Sequence, residues 1–328
     1  MTRTPQRNAY WDTVKALLIF LVVTGHCIQH FTQGDFWTNP VFTGIYIFHM
    51  PLFMFISGYF CHKSLEKRGW HTLPRYSMRL VPAILAFTAI RAAILLRHMP
   101  LAQISPAYLG VLWFFTVLLE CCLFGCIMTS LKHRAWRTAW CVLPLVIGIA
   151  ADGYLPYARF FTTMWPCFLL GTQTDTLRRL AARCERWHWL SLPAAAAALY
   201  LFRTDWYMYI TPLTFSTEAV LAWIYRLLCA GAVSAAFLYI MDICQAGQFT
   251  AAAVVGRHTL GMYVLQAAFF KLLPLLPLSI PLLGTATSCL LSACVFLALY
   301  GTYIITRRIP IIPQVLYGES LDRRKHTC

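Results

Sequence analysis

Long apolar runs constrain the fold of this chain more than any other feature of its sequence. Several reach about 20 residues, the length at which an α-helix crosses the hydrocarbon core of a bilayer. Hydrophobic residues make up 59% of the 328 residues and charged residues 12%, about half the charged fraction of a typical soluble domain. We therefore predict an all-α, polytopic transmembrane helical bundle of about ten spans, one domain over residues 1–328 with short tails at 1–12 and 307–328. The predicted spans are 13–32, 41–61, 80–98, 108–130, 137–151, 158–173, 189–203, 218–241, 252–272 and 281–306.

Lysine and arginine are distributed unevenly between the two sides of this predicted bundle. With the N-terminus inside, most of the 27 basic residues fall on that side, whereas Arg97, Arg159, Arg203 and Lys271 fall on the other. This asymmetry follows the positive-inside rule and predicts that both termini are cytoplasmic. The net charge of +15 thus orients the protein in a membrane, and we expect no nucleic-acid partner. The 13 cysteines show no metal-ligand spacing, so we predict no metal site.

The first predicted span carries ionisable residues on one helical face. Residues in a helix advance by about 100° each, so the steps from Lys15 to His26 return to nearly the same direction. Asp12 precedes Lys15 by one turn, shares that face, and is expected to pair with Lys15. His26 should lie about 16 Å deeper than Lys15, near the middle of the bilayer. Ionisable groups at such depth are costly, and they indicate a functional site.

Four further ionisable residues fall at a similar depth in other predicted spans. Because they cannot face lipid, we expect them to converge with His26 on an internal cavity. Hydrogen bonds or ion pairs between helices, with a purely structural role, are the alternative for each. The four residues are His49, Arg91, Glu120 and Arg226.

A basic stretch at 62–79 follows the second predicted span. Its positive charge orients the protein, and it also suits an electropositive mouth for an anionic cofactor. Arg75 and Arg79 lie one turn apart at the entrance to the third span, where they could bind such an anion.

Several segments form a recognisable series along the chain. The most specific are Asp12-x-x-Lys15-x10-His26 and F-H-M-P-L-F-M-F-I-S-G-Y-F at 48–60; weaker ones are Arg79-Leu80-Val81-Pro82, Leu112-Trp113-Phe114, 165–171 and 256–263. In this order they resemble the bacterial integral-membrane acyltransferase type-three family, especially its polysaccharide and fucose O-acetylase branch. Two features depart from that family. Gln266 stands where the family often has His, and Arg75 and Arg79 are more widely separated than the family's arginines.

The resemblance implies transfer of an acyl group from cytoplasmic acyl-coenzyme A, usually acetyl-CoA, to a hydroxyl of a cell-envelope glycan or lipid-linked sugar. It places the protein in the bacterial inner membrane, with the lipid bilayer as a further partner. His26 would take the proton of the hydroxyl or accept the acyl group itself. The expected catalytic residues are His26, Lys15, Asp12 and His49; the expected donor-binding residues are Lys15, Arg75 and Arg79; the substrate cavity is expected to include Glu120, Arg91, Arg226 and Trp113.

Two other functions fit the same residues. A secondary transporter or exporter of a small polar substrate could use the buried charges as a relay. A noncatalytic, acyl-sensing membrane protein is the second alternative. Inverted repeats and broken helices, which are typical of transporters, are not apparent in the sequence, and the presence of His26 with Lys15 favours catalysis.

The charge distribution predicts a specific topology that reporter fusions can test. Fusions at Gly34 and Asp152 should report the outside of the membrane, and fusions at Gly69 and Arg183 the cytoplasm, because basic loops remain inside. A cytoplasmic reporter signal at Asp152 would refute the short fifth and sixth spans.

Overall fold

The computed structural model describes residues 8–97, 100, 112–183, 185–273 and 282–319. Within these ranges the chain forms α-helices, short 3-10 turns and no β-strand, which confirms the all-α prediction. The helices are α1 (Ala9–Phe31), α2 (Pro40–Arg68), α3 (Thr72–Leu95), α4 (Trp113–Ser130), α5 (Arg134–Ala150), α6 (Ala158–Thr172), α7 (Thr174–Arg183), α8 (Ser191–Leu201), α9 (Thr217–Ile243), α10 (Thr250–Gly256), α11 (Thr259–Leu272), α12 (Thr285–Thr306) and α13 (Ile312–Val315).

Each predicted span overlaps at least one helix, but not every helix is long enough to cross a bilayer alone. α5, α6 and α8 have 17, 15 and 11 residues, fewer than the roughly 20 that a perpendicular span needs. The ten-span topology and the cytoplasmic termini therefore stay predictions. In the described part of the chain, five helical stretches are long and apolar enough to cross a membrane: Ala9–Phe31, Pro40–Leu95, Trp113–Ser130, Thr217–Ile243 and Thr285–Thr306.

Parts of the predicted tails and spans lie outside the described residues. These are 1–7 and 320–328 of the tails, 98 of the third predicted span, 108–111 of the fourth and 281 of the tenth.

The helices on either side of the basic stretch 62–79 extend beyond the predicted spans. α2 continues to Arg68, a 3-10 turn occupies Gly69–His71, and α3 begins at Thr72. Gly69 ends α2 with a φ of +53°, a conformation that glycine adopts without a steric penalty. Hydropathy marks only the part of a helix that is compatible with hydrocarbon, so it misses the charged ends of these two helices.

The ninth predicted span is interrupted. α10 and α11 are separated by Arg257 and His258, whose side chains have polar partners on different parts of the bundle. An apolar run conceals such a break because hydropathy does not report backbone hydrogen bonding. The break faces the first turns of α1, at one end of the bundle. In many transporters, by contrast, the break lies in the middle of a span.

Helix α1 occupies a central position, packed against α2, α10, α11 and α12. Its apolar side chains Leu18, Val23 and Ile28 are fully buried. Short polar side chains join it to α12, where the hydroxyls of Thr24 and Ser292 lie 2.9 Å apart. Small polar residues of this kind allow close helix contacts in an apolar environment.

Reciprocal glycines bring α2 and α6 into backbone contact. A Cβ added to Gly58 would overlap the carbonyl of Phe168, and one added to Gly171 would overlap the carbonyl of Phe55. Because backbone cannot move aside as a side chain can, this interface requires glycine on both helices.

We predict that Gly58→Ala and Gly171→Ala each destabilise the bundle by about 1–3 kcal/mol, the usual cost of overpacking. Thermal unfolding of the purified protein in detergent measures this effect. Gly231→Ala is the matched control, because its added methyl group would meet no atom within 4 Å. Equal unfolding temperatures for all three variants would show that α2 and α6 do not pack as described.

Candidate active site

The Asp12 carboxylate joins the start of α1 to the α10–α11 junction. Its Oδ1 lies 2.8 Å from Lys15 Nζ and its Oδ2 lies 3.8 Å from Arg257 Nε. Asp12 is buried, whereas Arg257 is exposed. A Cβ on Gly256 would overlap the carbonyl of Asp12, so α10 can lie directly against α1 only with glycine at this position. The structure thus shows the expected Asp12–Lys15 pair and adds Arg257 to it.

Cations and aromatic rings surround this carboxylate. Lys15 Nζ lies 5.4 Å from the centre of the Phe60 ring, and Lys63 Nζ lies 4.4 Å from that of Tyr59. The Arg178 guanidinium lies 5.4 Å from the centre of the same Tyr59 ring and 5.8 Å from that of Trp11, within the range of cation–π attraction. We call this group the basic mouth; it consists of Lys15, Lys63, Arg178 and Arg257 around Trp11, Tyr59 and Phe60.

Arg75 and Arg79 lie on α3, beside the C-terminal segment that packs against that helix. Arg79 Nε donates to the carbonyl of Gly318 at 3.1 Å, while Arg75 is exposed. Next to Gly318, the Glu319 carboxylate accepts a hydrogen bond from the Tyr303 hydroxyl. The same hydroxyl lies 2.7 Å from His258 Nδ1. Arg79 therefore binds the C-terminal segment next to a second polar cluster, which consists of His258, Tyr303 and Glu319.

His26 lies nearer the end of α1 than its middle, about 26 Å from the first residue of the helix along the axis. Its Nδ1 is 3.1 Å from Gln29 Oε1. Because an amide oxygen can only accept, Nδ1 carries the proton in this arrangement and Nε2 keeps its lone pair. The imidazole lies against Phe270 and Tyr46, with ring centres 5.2 and 6.4 Å away.

His49 is brought to the same place by α2. Its Nδ1 lies 2.7 Å from the carbonyl of Ile45, so its Nε2 also keeps the lone pair. Its ring centre is 4.8 Å from that of Tyr46, which therefore contacts both histidines. A Cβ on Gly25 would come within 2.5 Å of the Tyr46 ring, so glycine next to His26 allows this approach. We call His26, His49 and Tyr46 the histidine site.

The other predicted cavity residues fall at different distances from the histidine site. Arg226 lines a cavity that Tyr46 and Tyr209 also line. Trp113 contacts Tyr209, and the centres of the two rings are 6.2 Å apart. Arg91 lies within electrostatic range of Lys271, which is itself within range of His26.

Glu120 stands apart from these residues. It is half-buried on α4 and forms no hydrogen bond or ion pair with any described residue.

Sequence reasoning missed several residues of this region. Arg178 entered only the charge count, Arg257 entered that count and the segment 256–263 without a functional role, and Tyr46 resembled any aromatic residue of a membrane helix. Gln266 is fully buried one turn before Phe270, and its Oε1 has no hydrogen-bond partner among the described residues. For metals, no cluster of three His, Cys, Asp or Glu side chains occurs in the described ranges.

Comparison with known proteins identifies the class. The acyltransferase domain family matches residues 8–307, so the chain belongs to the acyltransferase 3 family, as the motifs predicted. It is similar to nodulation protein NolL of Mesorhizobium japonicum, 24% identical over 83% of this chain and 79% of the relative. NolL of Sinorhizobium fredii is 27% identical over 82% of this chain and 80% of the relative. No solved structure shows a significant match. The protein is a membrane acyltransferase.

We predict that Asp12→Asn destabilises the protein by about 1.5–3 kcal/mol, the range for a hydrogen bond to a charged group. The substitution removes the charge that Lys15 and Arg257 share, and unfolding in detergent measures the loss. Asp205→Asn is the control, because the Arg203–Asp205 pair is exposed and such pairs contribute about 1 kcal/mol or less. Similar losses in both variants would contradict a stabilising role for the buried carboxylate.

Proposed function

We propose that this protein transfers an acetyl or other short acyl group from cytoplasmic acyl-coenzyme A to a hydroxyl of an envelope glycan or lipid-linked sugar in the bacterial inner membrane. One observation carries the proposal: Lys15 and His26 face the same neighbouring helix. Lys15 lies over Phe60 and His26 lies against Tyr46, and both rings belong to α2. An anion-binding group and a potential base thus share one interhelical seam about 16 Å long.

The basic mouth suits the nucleotide end of coenzyme A. Its cations can bind phosphate oxygens, and the exposed Phe60 ring can stack with a purine. We propose Lys15, Arg178 and Arg257 as the main donor contacts. Arg75 and Arg79 are proposed to add to the positive field beside the mouth, since Arg79 already donates to Gly318.

A bound donor would extend its neutral arm along the seam between α1 and α2 and place the thioester beside His26. In a direct reaction, Nε2 of His26 takes the proton of the acceptor hydroxyl as its oxygen bonds to the thioester carbon. The carbon–sulfur bond then breaks, and the sulfur leaves as a thiolate that receives the proton. In a two-step reaction, Nε2 itself bonds to the acyl carbon as the carbon–sulfur bond breaks and the thiolate leaves. The acceptor hydroxyl then bonds to the acyl carbon and displaces the imidazole, and the hydroxyl proton passes to the thiolate.

We propose that His49 binds the acceptor hydroxyl. With Nδ1 donating to the carbonyl of Ile45, a neutral His49 offers a lone pair and no further N–H. It can therefore orient a hydroxyl, whereas stabilising an oxyanion would require its protonated form. The resemblance to polysaccharide O-acetylases supports a sugar as the molecule that carries this hydroxyl.

We predict that His26→Ala lowers acyl transfer by a factor of about 10²–10⁴, the range for loss of a general base. The measurement is transfer of label from radioactive acetyl-CoA to envelope glycans in isolated membranes, with protein amount and unfolding temperature determined in parallel. His133→Ala, which removes an exposed histidine at the start of α5, is the control and should retain full activity. Near-normal transfer by the His26 variant would exclude His26 as base and as nucleophile.

A further inference from the structure

A cavity next to the histidine site is walled by aromatic side chains and contains one buried arginine. Tyr46 belongs to both the cavity and the histidine site, so the two spaces adjoin. The opposite wall comes from α9, which supplies the arginine, and from the segment that precedes it. The side chains that matter here are Tyr46, Thr163, Phe202, Tyr207, Tyr209 and Arg226.

Arg226 lacks a counter-ion in the part of the chain that the structure describes. The residue is only 7% exposed, and its Nε and Nη1 atoms are buried with no hydrogen-bond partner among the described residues. Arg159 lies within electrostatic range and increases the positive potential. The Asp152 carboxylate is already engaged, because it accepts from Arg159 Nε at 2.9 Å and from the backbone N–H of Leu213 at 2.7 Å.

An unpaired guanidinium is costly at this position. Burying a charge without a partner costs several kcal/mol, and arginine cannot escape that cost by losing its proton. A planar guanidinium with free N–H groups binds carboxylate or phosphate oxygens well.

We propose that the acceptor is an anionic sugar whose carboxylate or phosphate enters this cavity, which is about 30 Å³ and has room for such a group, and pairs with Arg226. The inference rests on the proposed function and narrows its acceptor to the class of anionic sugars. Because Tyr46 lines the cavity and contacts both imidazoles, a sugar held by Arg226 lies next to the histidine site, where it would present a hydroxyl to His49 and His26. Arg226 then acts as a binding residue that sets specificity and takes no part in proton transfer.

Binding of small sugars to the purified protein in detergent tests the proposal without any donor. The probes are methyl β-D-glucuronide, glucose 1-phosphate and the neutral methyl β-D-glucoside, titrated against the unfolding temperature. We expect one or both anionic sugars to stabilise the protein, and the neutral sugar to do so much less. Which of the two anionic sugars binds shows whether the site takes a carboxylate or a phosphate.

Arg226→Gln should weaken binding of the anionic sugar by about tenfold to a hundredfold, as expected for loss of a charge-assisted hydrogen bond. Arg226→Lys keeps the charge and should retain part of the affinity, which separates binding from misfolding. The control is Arg203→Gln, since Arg203 is an exposed residue paired with Asp205.

Equal stabilisation by neutral and anionic sugars, or unchanged affinity in Arg226→Gln, would overturn the proposal. If the anionic sugar binds through Arg226 but no acyl group is transferred to it, the proposed function fails and the binding site stands.

Discussion

The helical repeat of α1 is the constraint on which the site depends. It places Lys15 and His26 on the side that faces α2, one near the start of the helix and one near its end. Asp12 fixes the rotation of that helix, because its carboxylate reaches Arg257 and its backbone touches Gly256, both outside α1. A turn of α1 about its axis would break these contacts and move His26 away from Tyr46. The charges at one end thus position the imidazole at the other.

The α10–α11 junction connects two polar clusters at the same end of the bundle. Arg257 belongs to the Asp12 cluster, and the adjacent His258 contacts Tyr303, whose hydroxyl donates to Glu319. Through Gly318, this second cluster also reaches Arg79 on α3. Arg257 and His258 thus contact α1 and α12, respectively. The junction therefore links α1 to α12 and, through Glu319 and Gly318, to α3.

The features that depend on one helix or one local motif could be predicted from the sequence. The all-α fold, the shared face of Asp12, Lys15 and His26, and the family follow from local spacing and local motifs. The role of Tyr46 does not, because it arises where α1 and α2 meet and depends on Gly25 as much as on the tyrosine. Arg257 and Arg178 were hidden for a related reason: hydropathy counts a cation toward topology and does not indicate which ring or carboxylate it meets. Helices extend beyond the predicted spans where charged turns continue past the apolar run, as at Arg68.

A structure with a bound donor analogue tests the central claim most directly. The claim is that one seam between α1 and α2 leads from the basic mouth to His26. Electron cryomicroscopy of the protein in lipid nanodiscs, with a nonhydrolysable acetyl-CoA analogue, would locate both ends of the ligand. We predict the phosphates at Lys15, Arg178 and Arg257, and the carbonyl carbon of the acyl group beside Nε2 of His26. An analogue bound with its acyl end away from His26, or with its phosphates outside the basic mouth, would contradict this account.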